Sequence, residues 1–276
     1  MTWWAIDLRP SPERLDWMSA WLVSHTGLAV EERPDGTLVA FAADEPTAHA
    51  LLAQLRQASG EPLSAVRRPL EEVDWSIRWR EGLGTRRLGR LTLVPSWIPE
   101  GSPPDRFTVV LDPETAFGSG EHGSTRAALS LLERFVRPGD VILDLGSGSG
   151  ILAIAAVKLG AARAIGIECD PEANVVAARN VERNQVSRQI ELLEGDAAIL
   201  TPLVGPADLI LSNILRNANV ELLPAIGSAL SPTGIVIFSG MEVAEGAVFR
   251  SALTAAGLRA VAETVDEGWW GVAARR

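Results

Sequence analysis

The sequence holds a single cysteine, Cys169. No internal disulfide can form, and a reducing compartment is the simpler setting. No run of about twenty apolar residues occurs, so no membrane span is expected. The opening MTWWAIDLRPSPERLDW lacks a basic segment followed by an apolar one, so no export signal is expected and a cytoplasmic protein is. No cluster of His, Cys, Asp and Glu has metal-ligand spacing, so no metal is expected. Basic charge is short as well: 25 Lys and Arg face 35 Asp and Glu, a formal net charge of -10. An acidic surface repels phosphate backbones, which argues against direct binding to nucleic acid or anionic membranes. It is compatible with a basic protein or a cationic ligand.

What is present suits a folded enzyme-sized chain. Hydrophobic residues make up 47% of the 276 positions and charged residues 22%, enough apolar material for a sizeable core. The first part of the chain reads as a small α+β sandwich. TWWAIDLR is a strand candidate, and SPERLDWMSAWLVSHTG opens with a capping Ser and a Pro and continues with helical apolar spacing. AVEERP and TLVAFAA are short strand runs around a PDG turn. EPTAHALLAQLRQASG is a second helix ended by Gly60, and PLSAVRRPL a further strand. EEVDWSIRWREGLG follows as an amphipathic linker helix. Strand runs then flank the proline-rich PEGSPPD loop, and Trp75, Trp79 and Trp97 are expected to pack between two domains. From about Arg126 the apolar runs VILDLGSG, RAIGIECD, IELLEGD, ADLILSNIL and GIVIFSGM alternate with helical segments. That alternation predicts a doubly wound, mostly parallel sheet covered on both faces.

In such a sheet ligands bind at the carboxyl ends of the strands, near the point where strand order reverses. Asp144 ends the first run, and Gly146, Gly148 and Gly150 follow it, separated by Ser147 and Ser149. Glycine permits positive φ and close backbone approach, and the helix from about Ile151 points free N–H groups at the ligand. A phosphate loop would need a Lys followed by Ser or Thr, and none follows. The dinucleotide fingerprint places its third glycine one residue later. The turn instead resembles the first motif of class I S-adenosylmethionine-dependent methyltransferases. A dinucleotide enzyme and a purely structural turn remain open on the turn alone. Glu168 ends the next strand run, where a carboxylate can accept both hydroxyls of a ribose, while Asp170 before Pro171 reads as a helix cap. Asp196 ends a third run and is either an adenine-edge contact or a turn aspartate.

Two further stretches are more specific: DPETAFGSGEHGSTR, Asp112 to Arg126, and LILSNILRNANVELLPAI, Leu209 to Ile226. With WREGL and LTLVPSW upstream they resemble the PrmA family, whose members methylate protein L11 of the large ribosomal subunit. The resemblance runs from about Trp75 to the C-terminus. It implies a seven-stranded Rossmann-like sheet, S-adenosylmethionine as cofactor, ribosomal protein L11 as partner, and a monomer. It places Thr125, Gly146, Glu168 and Asn213 on the cofactor, with Gly148 beside them in the glycine turn. The family usually has Thr where Ser119 and Ser124 stand here, and Asp where Glu168 stands. On this basis residues 1–70 are expected to recognise the substrate, 71–104 to form a linker helix and strand region, and 105–276 to bind the cofactor.

Asn213 ends the fourth strand run, where a transferred methyl group should face its acceptor. An acceptor amine must be neutral to attack a sulfonium, and a side-chain amide oxygen can accept its N–H bonds and aim its lone pair. The alternative is that Asn213 caps the following helix. His122 lies in the loop expected to cover the cofactor and is either a base, or loop structure or cofactor packing. His25 and His49 read as ordinary residues. The same cofactor site would also serve a lysine methyltransferase of another protein, or a small-molecule methyltransferase.

Overall fold

The computed structural model describes residues 3–26, 28, 30–33, 35–60, 63–70, 83–98 and 105–276. The linker helix expected over EEVDWSIRWREGLG covers residues 71–84; 71–82, with Trp75 and Trp79, lie outside that set, and Leu83 and Gly84 are not helical. The chain divides into two compact units, Met1–Arg78 and Trp79–Arg276.

The first unit is a four-stranded antiparallel sheet with two helices. Strands β1 (Trp4–Arg9), β2 (Glu31–Glu32), β3 (Leu38–Ala42) and β4 (Ser64–Pro69) lie in the order β2-β3-β1-β4. Alternate residues of the central pair, Ile6 and Leu8 with Leu38, Ala40 and Ala42, form one apolar face. Helices α1 (Leu15–Thr26) and α2 (Glu45–Ser59) cover it with Met18, Leu22, Leu51, Leu52 and Leu55. The ends of α2 are written in the sequence. Asp44 accepts the Thr47 N–H at 2.7 Å, and Gly60 closes the helix in the left-handed conformation.

The second unit contains a short three-stranded sheet, β5 (Arg86–Leu88), β6 (Leu91–Val94) and β7 (Thr108–Val110), and a seven-stranded one. The large sheet comprises β8 (Val141–Leu145), β9 (Arg163–Glu168), β10 (Ile190–Glu194), β11 (Ala207–Asn213), β12 (Leu230–Glu242), β13 (Arg259–Asp266) and β14 (Trp269–Arg275). Its order is β10-β9-β8-β11-β12-β14-β13. The first five strands are parallel, and the β13–β14 hairpin adds on antiparallel to β12.

Side chains of the central strands alternate between two cores, so both faces are buried and the strands read as continuous apolar runs. Ile142, Leu209, Leu211 and Ile237 point to one face. There they meet α3 (Gly123–Phe135), α4 (Ile151–Leu159) and α5 (Pro171–Arg183). Leu143, Leu145, Ile210, Val236 and Phe238 point to the other. That face packs on α7 (Arg216–Ala229) and α8 (Gly246–Ala255), with α6 (Ala197–Val204) alongside. The chain runs outward from β8 through β9 to β10, then returns to place β11 on the other side of β8. That reversal opens a crevice at the carboxyl ends of β8 and β11.

Two buried asparagines tie β7 and the segment after it to this domain. Asn184 bonds both the N–H and the C=O of Val110, at 2.9 and 2.7 Å. Asn180 does the same for Asp112, at 3.0 Å each, and also donates to the Ser149 carbonyl. Spaced one turn apart on α5, they act as a strand edge would and satisfy backbone groups that burial leaves without water. Replacing Asn180 by Leu should lower stability by about 2–4 kcal/mol, since three buried backbone groups lose their bonds at once. Urea denaturation of the variant checks it.

Candidate active site

The crevice is built around the turn after β8. Gly146, Gly148 and Gly150 all have positive φ, at 71, 52 and 79°. The neighbouring strand holds the turn: the N–H groups of Gly146 and Ser147 donate to the Ile167 carbonyl at 2.8 and 3.2 Å. At two of these glycines a side chain has no room. A Cβ on Gly146 would stand 2.6 Å from the Ile214 side chain, and one on Gly148 2.5 Å from the Phe117 carbonyl oxygen. Changing Gly148 to Ala combines that clash with a left-handed backbone, and should lower stability by about 1–3 kcal/mol. Urea denaturation of the variant measures this.

Asp144 lies beneath the turn, 1% exposed. One carboxylate oxygen accepts the Ala153 N–H at 3.0 Å, and the other has no partner among the described residues. Burial pushes its pKa up to about 7, and the charge of Glu168 adds to the rise against the Ala153 hydrogen bond. The native state therefore keeps a proton that an unfolded aspartate, with a pKa of about 3.9, has lost. Stability contributed by this group falls as pH rises from about 4 to about 7, by roughly 1.4 kcal/mol per unit at most. Asp144→Asn should flatten that slope, as denaturation midpoints measured across this pH range will test.

Glu168 ends β9 and closes the turn from the side. Its carboxylate accepts N–H groups of Gly148, Cys169 and Asp170 at 3.0, 2.9 and 3.1 Å. Oε1 also takes the Cys169 thiol at 3.6 Å, so it is fully used, and Oε2, which accepts only the Gly148 N–H, keeps the remaining acceptor position. Asp170 caps α5 through the Glu172 N–H at 2.9 Å. Asp196 caps α6 through the Ala198 N–H at 2.8 Å and also lines the crevice.

Asn213, the last residue of β11, is 9% exposed. Its side-chain N–H donates to Thr125 Oγ1 at 3.3 Å, and its Oδ1 has no partner among the described residues. The capping alternative is overturned: the cap of α7 is Leu215, and the amide of Asn213 turns away to α3. The adjoining backbone is fixed by Asn219, whose side chain donates to the carbonyls of Ile214 and Ser239 at 2.9 and 3.0 Å. Thr125 itself is fully buried behind Asn213 and does not line the crevice.

The opposite wall comes from the glycine-rich loop and the chain's last hairpin. His122 caps α3, with Nδ1 2.7 Å from Ser124 Oγ, and its ring lies against Phe117 and Trp269 at centroid distances of 5.3 and 4.2 Å. This geometry favours the structural alternative for His122. Trp269 carried no motif in the sequence, while Phe117 and Asn219 lie inside the two quoted stretches without having been singled out there. The tandem Trp269–Trp270 near the C-terminus was the one visible signal, and only the hairpin's return across β12 reveals which of the two faces the crevice. Together these walls enclose about 800 Å³, within the range of small-molecule sites. Among the described residues no group of acidic, His or Cys side chains is placed to hold a metal ion, and no helix is long and apolar enough to cross a membrane.

A mostly parallel seven-stranded sheet, with a glycine turn after its first parallel strand and a crevice at the reversal of strand order, defines a class I methyltransferase. Comparison with known proteins narrows this. The family model for Ribosomal protein L11 methyltransferase (PrmA) matches residues 18–276. A Pelotomaculum thermopropionicum ribosomal protein L11 methyltransferase is 38% identical over 246 residues, covering 88% of this chain and 79% of the relative. One from Synechococcus is 33% identical over 292 residues, covering 99% and 96%. The crystal structure of a ribosomal protein L11 methylase from Lactobacillus delbrueckii subsp. bulgaricus matches with a TM-score of 0.64 at 31% identity, over 70% of this chain and 99% of that one. The chain belongs to the PrmA family.

Proposed function

We propose that this protein is an S-adenosylmethionine-dependent protein N-methyltransferase that acts in the cytoplasm on amines of ribosomal protein L11, lysine side chains or the N-terminal α-amine. The observation that carries the reading is Asn213 Oδ1: a buried carbonyl oxygen without a partner among the described residues, on a residue that lines the crevice at the end of β11. An acceptor for N–H groups at that place is what an incoming amine requires. Family membership and the names of the relatives support the substrate.

The residues present fit the cofactor. Gly146 and Gly148 leave a backbone cradle that a Cβ would fill, and the crevice is large enough for a nucleoside carrying an amino acid. Gly146 and Gly148 would approach the amino-acid part, Glu168 the ribose through its remaining acceptor position, and Asp196 the adenine edge. Thr125 contributes from behind by holding Asn213. Bound S-adenosylmethionine supplies an electrophilic methyl group on a sulfonium sulfur. Asn213 accepts an N–H of the amine and orients the nitrogen lone pair, while the aromatic wall of Phe117, His122 and Trp269 keeps water away. An amide oxygen cannot take the amine's proton, so the proton leaves to solvent before transfer. The N-terminal unit, residues 1–70, holds the substrate protein, and the negative net charge favours encounter with a basic partner.

The test is transfer of labelled methyl from S-adenosylmethionine to unmethylated ribosomal proteins, with labelled bands identified by mass spectrometry. Label on L11 amines is expected. Asn213→Ala should lower kcat at least about tenfold, with a much smaller change in S-adenosylhomocysteine affinity. Below the amine's own pKa, about 10.4 for lysine and about 8 for an α-amine, the rate should rise with pH. Tight cofactor binding with label only on other proteins would retain the cofactor and overturn the substrate.

A further inference from the structure

We infer that Arg126 is a positioning residue for methyl transfer: its ion pair with Asp266 locks the first turn of α3 to the β13–β14 turn, and so fixes Asn213 and Trp269 on opposite walls of the crevice. The inference rests on the methyltransferase reading above.

The four residues Gly123–Arg126 each hold something different. Gly123 lets the hairpin approach: a Cβ there would stand 2.5 Å from the Asp266 carbonyl oxygen and 2.8 Å from the Trp269 ring. Ser124 lines the crevice, and its carbonyl accepts Ser239 Oγ from β12 at 2.8 Å. Thr125 accepts from Asn213. Arg126 reaches across to the hairpin. Its Nε lies 3.0 Å from both carboxylate oxygens of Asp266, Nη2 also bonds Asp266, and Nη2 lies 2.8 Å from Glu267. Nη1 donates to the Glu121 carbonyl, tying in the loop that carries His122.

Arg126 is 7% exposed and lines no part of the crevice, so it acts only through its neighbours. A guanidinium suits the task. Its planar donors bind a carboxylate and a carbonyl in fixed directions, which a lysine cannot reproduce. The pair is more than a surface contact because its cationic end is buried, and removing Asp266 leaves it only the largely exposed carboxylate of Glu267. Releasing the hairpin frees Trp269 from His122, and tilting the first turn of α3 moves Thr125 and with it the oxygen of Asn213. Gly146, Ser147 and Gly148 are held by Ile167 and Glu168 and stay in place, while Ser149 is joined to the loop at Phe117 and Gly118.

The experiment compares wild type, Asp266→Asn, Arg126→Gln and the exchanged pair Arg126→Asp/Asp266→Arg. It measures kcat for L11 methylation, the Kd of S-adenosylhomocysteine and the melting midpoint. Asp266→Asn, the milder change, keeps the test available if Arg126→Gln does not fold. The expected result is a kcat lowered at least about tenfold with Kd within about threefold of wild type, and partial recovery in the exchanged pair. A kcat within about twofold of wild type in Asp266→Asn overturns the inference, as does a kcat that falls together with Kd and the melting midpoint. If wild type binds S-adenosylhomocysteine but methylates no ribosomal protein, the substrate reading has failed, and amide exchange decides. Faster exchange in Asp266→Asn at residues 118–126, with 145–148 unchanged, supports the clamp; unchanged exchange at 118–126 overturns it.

Discussion

The backbone of the turn after β8 has to stay open, and most of the site follows from how it is held open. Four consecutive N–H groups are used on its walls rather than on the crevice: Gly146 and Ser147 on Ile167, Gly148 on Glu168, and Ser149 on Phe117. These bonds join the turn to β9 on one side and to the glycine-rich loop on the other. They also set which residues must be small. The same few ångströms that admit no Cβ at Gly146 and Gly148 bring Ile214 and Phe117 to the rim. A preorganised backbone of this kind is bound without the cost of ordering a loop.

The polar groups around the turn divide into those that are satisfied and those left over. Asn219, Asn180 and Asn184 use their amides to hold backbone and present nothing to a ligand. Asp144 and Asn213 each keep one oxygen unpaired. Burying an unpaired polar atom costs about 1–3 kcal/mol, so a fold retains it where something else is gained. At Asp144 the cost appears as a raised pKa under the turn. At Asn213 it leaves a buried acceptor on a residue of the crevice wall, oriented by Thr125.

Local signals carried much of this architecture, and long-range ones did not. β8, β9 and β11 were legible because burial on both faces makes them near-continuous apolar runs, whereas the edge strand β10, IELLE, is partly exposed and was marked by its place in the alternation. The caps Asp44, Asp170 and Asp196 and the stop at Gly60 are chemistry of adjacent residues. The β13–β14 hairpin was not legible in its local pattern. β13 is largely exposed and β14 carries Gly271 in its middle, so neither shows clear alternation, and their place depends on pairing with β12. The candidate site divides the same way. Spacing alone pointed to the glycines, Glu168 and Asp196. Thr125 stood out only by resemblance, and its place behind Asn213 required the packing of α3 on the sheet. The occupation of Glu168 by three backbone N–H groups depends on the turn's path, which composition does not encode.

The most direct measurement of the central claim is a crystal structure of the full chain with S-adenosylhomocysteine. The account predicts the amino-acid part of the ligand over Gly146 and Gly148, the ribose at Glu168, and the sulfur facing Asn213 across an open path to solvent. It also predicts a turn that superposes on the unliganded one. A ligand bound elsewhere, or a turn that must rearrange and release Ile167 and Glu168 to admit it, would contradict the account.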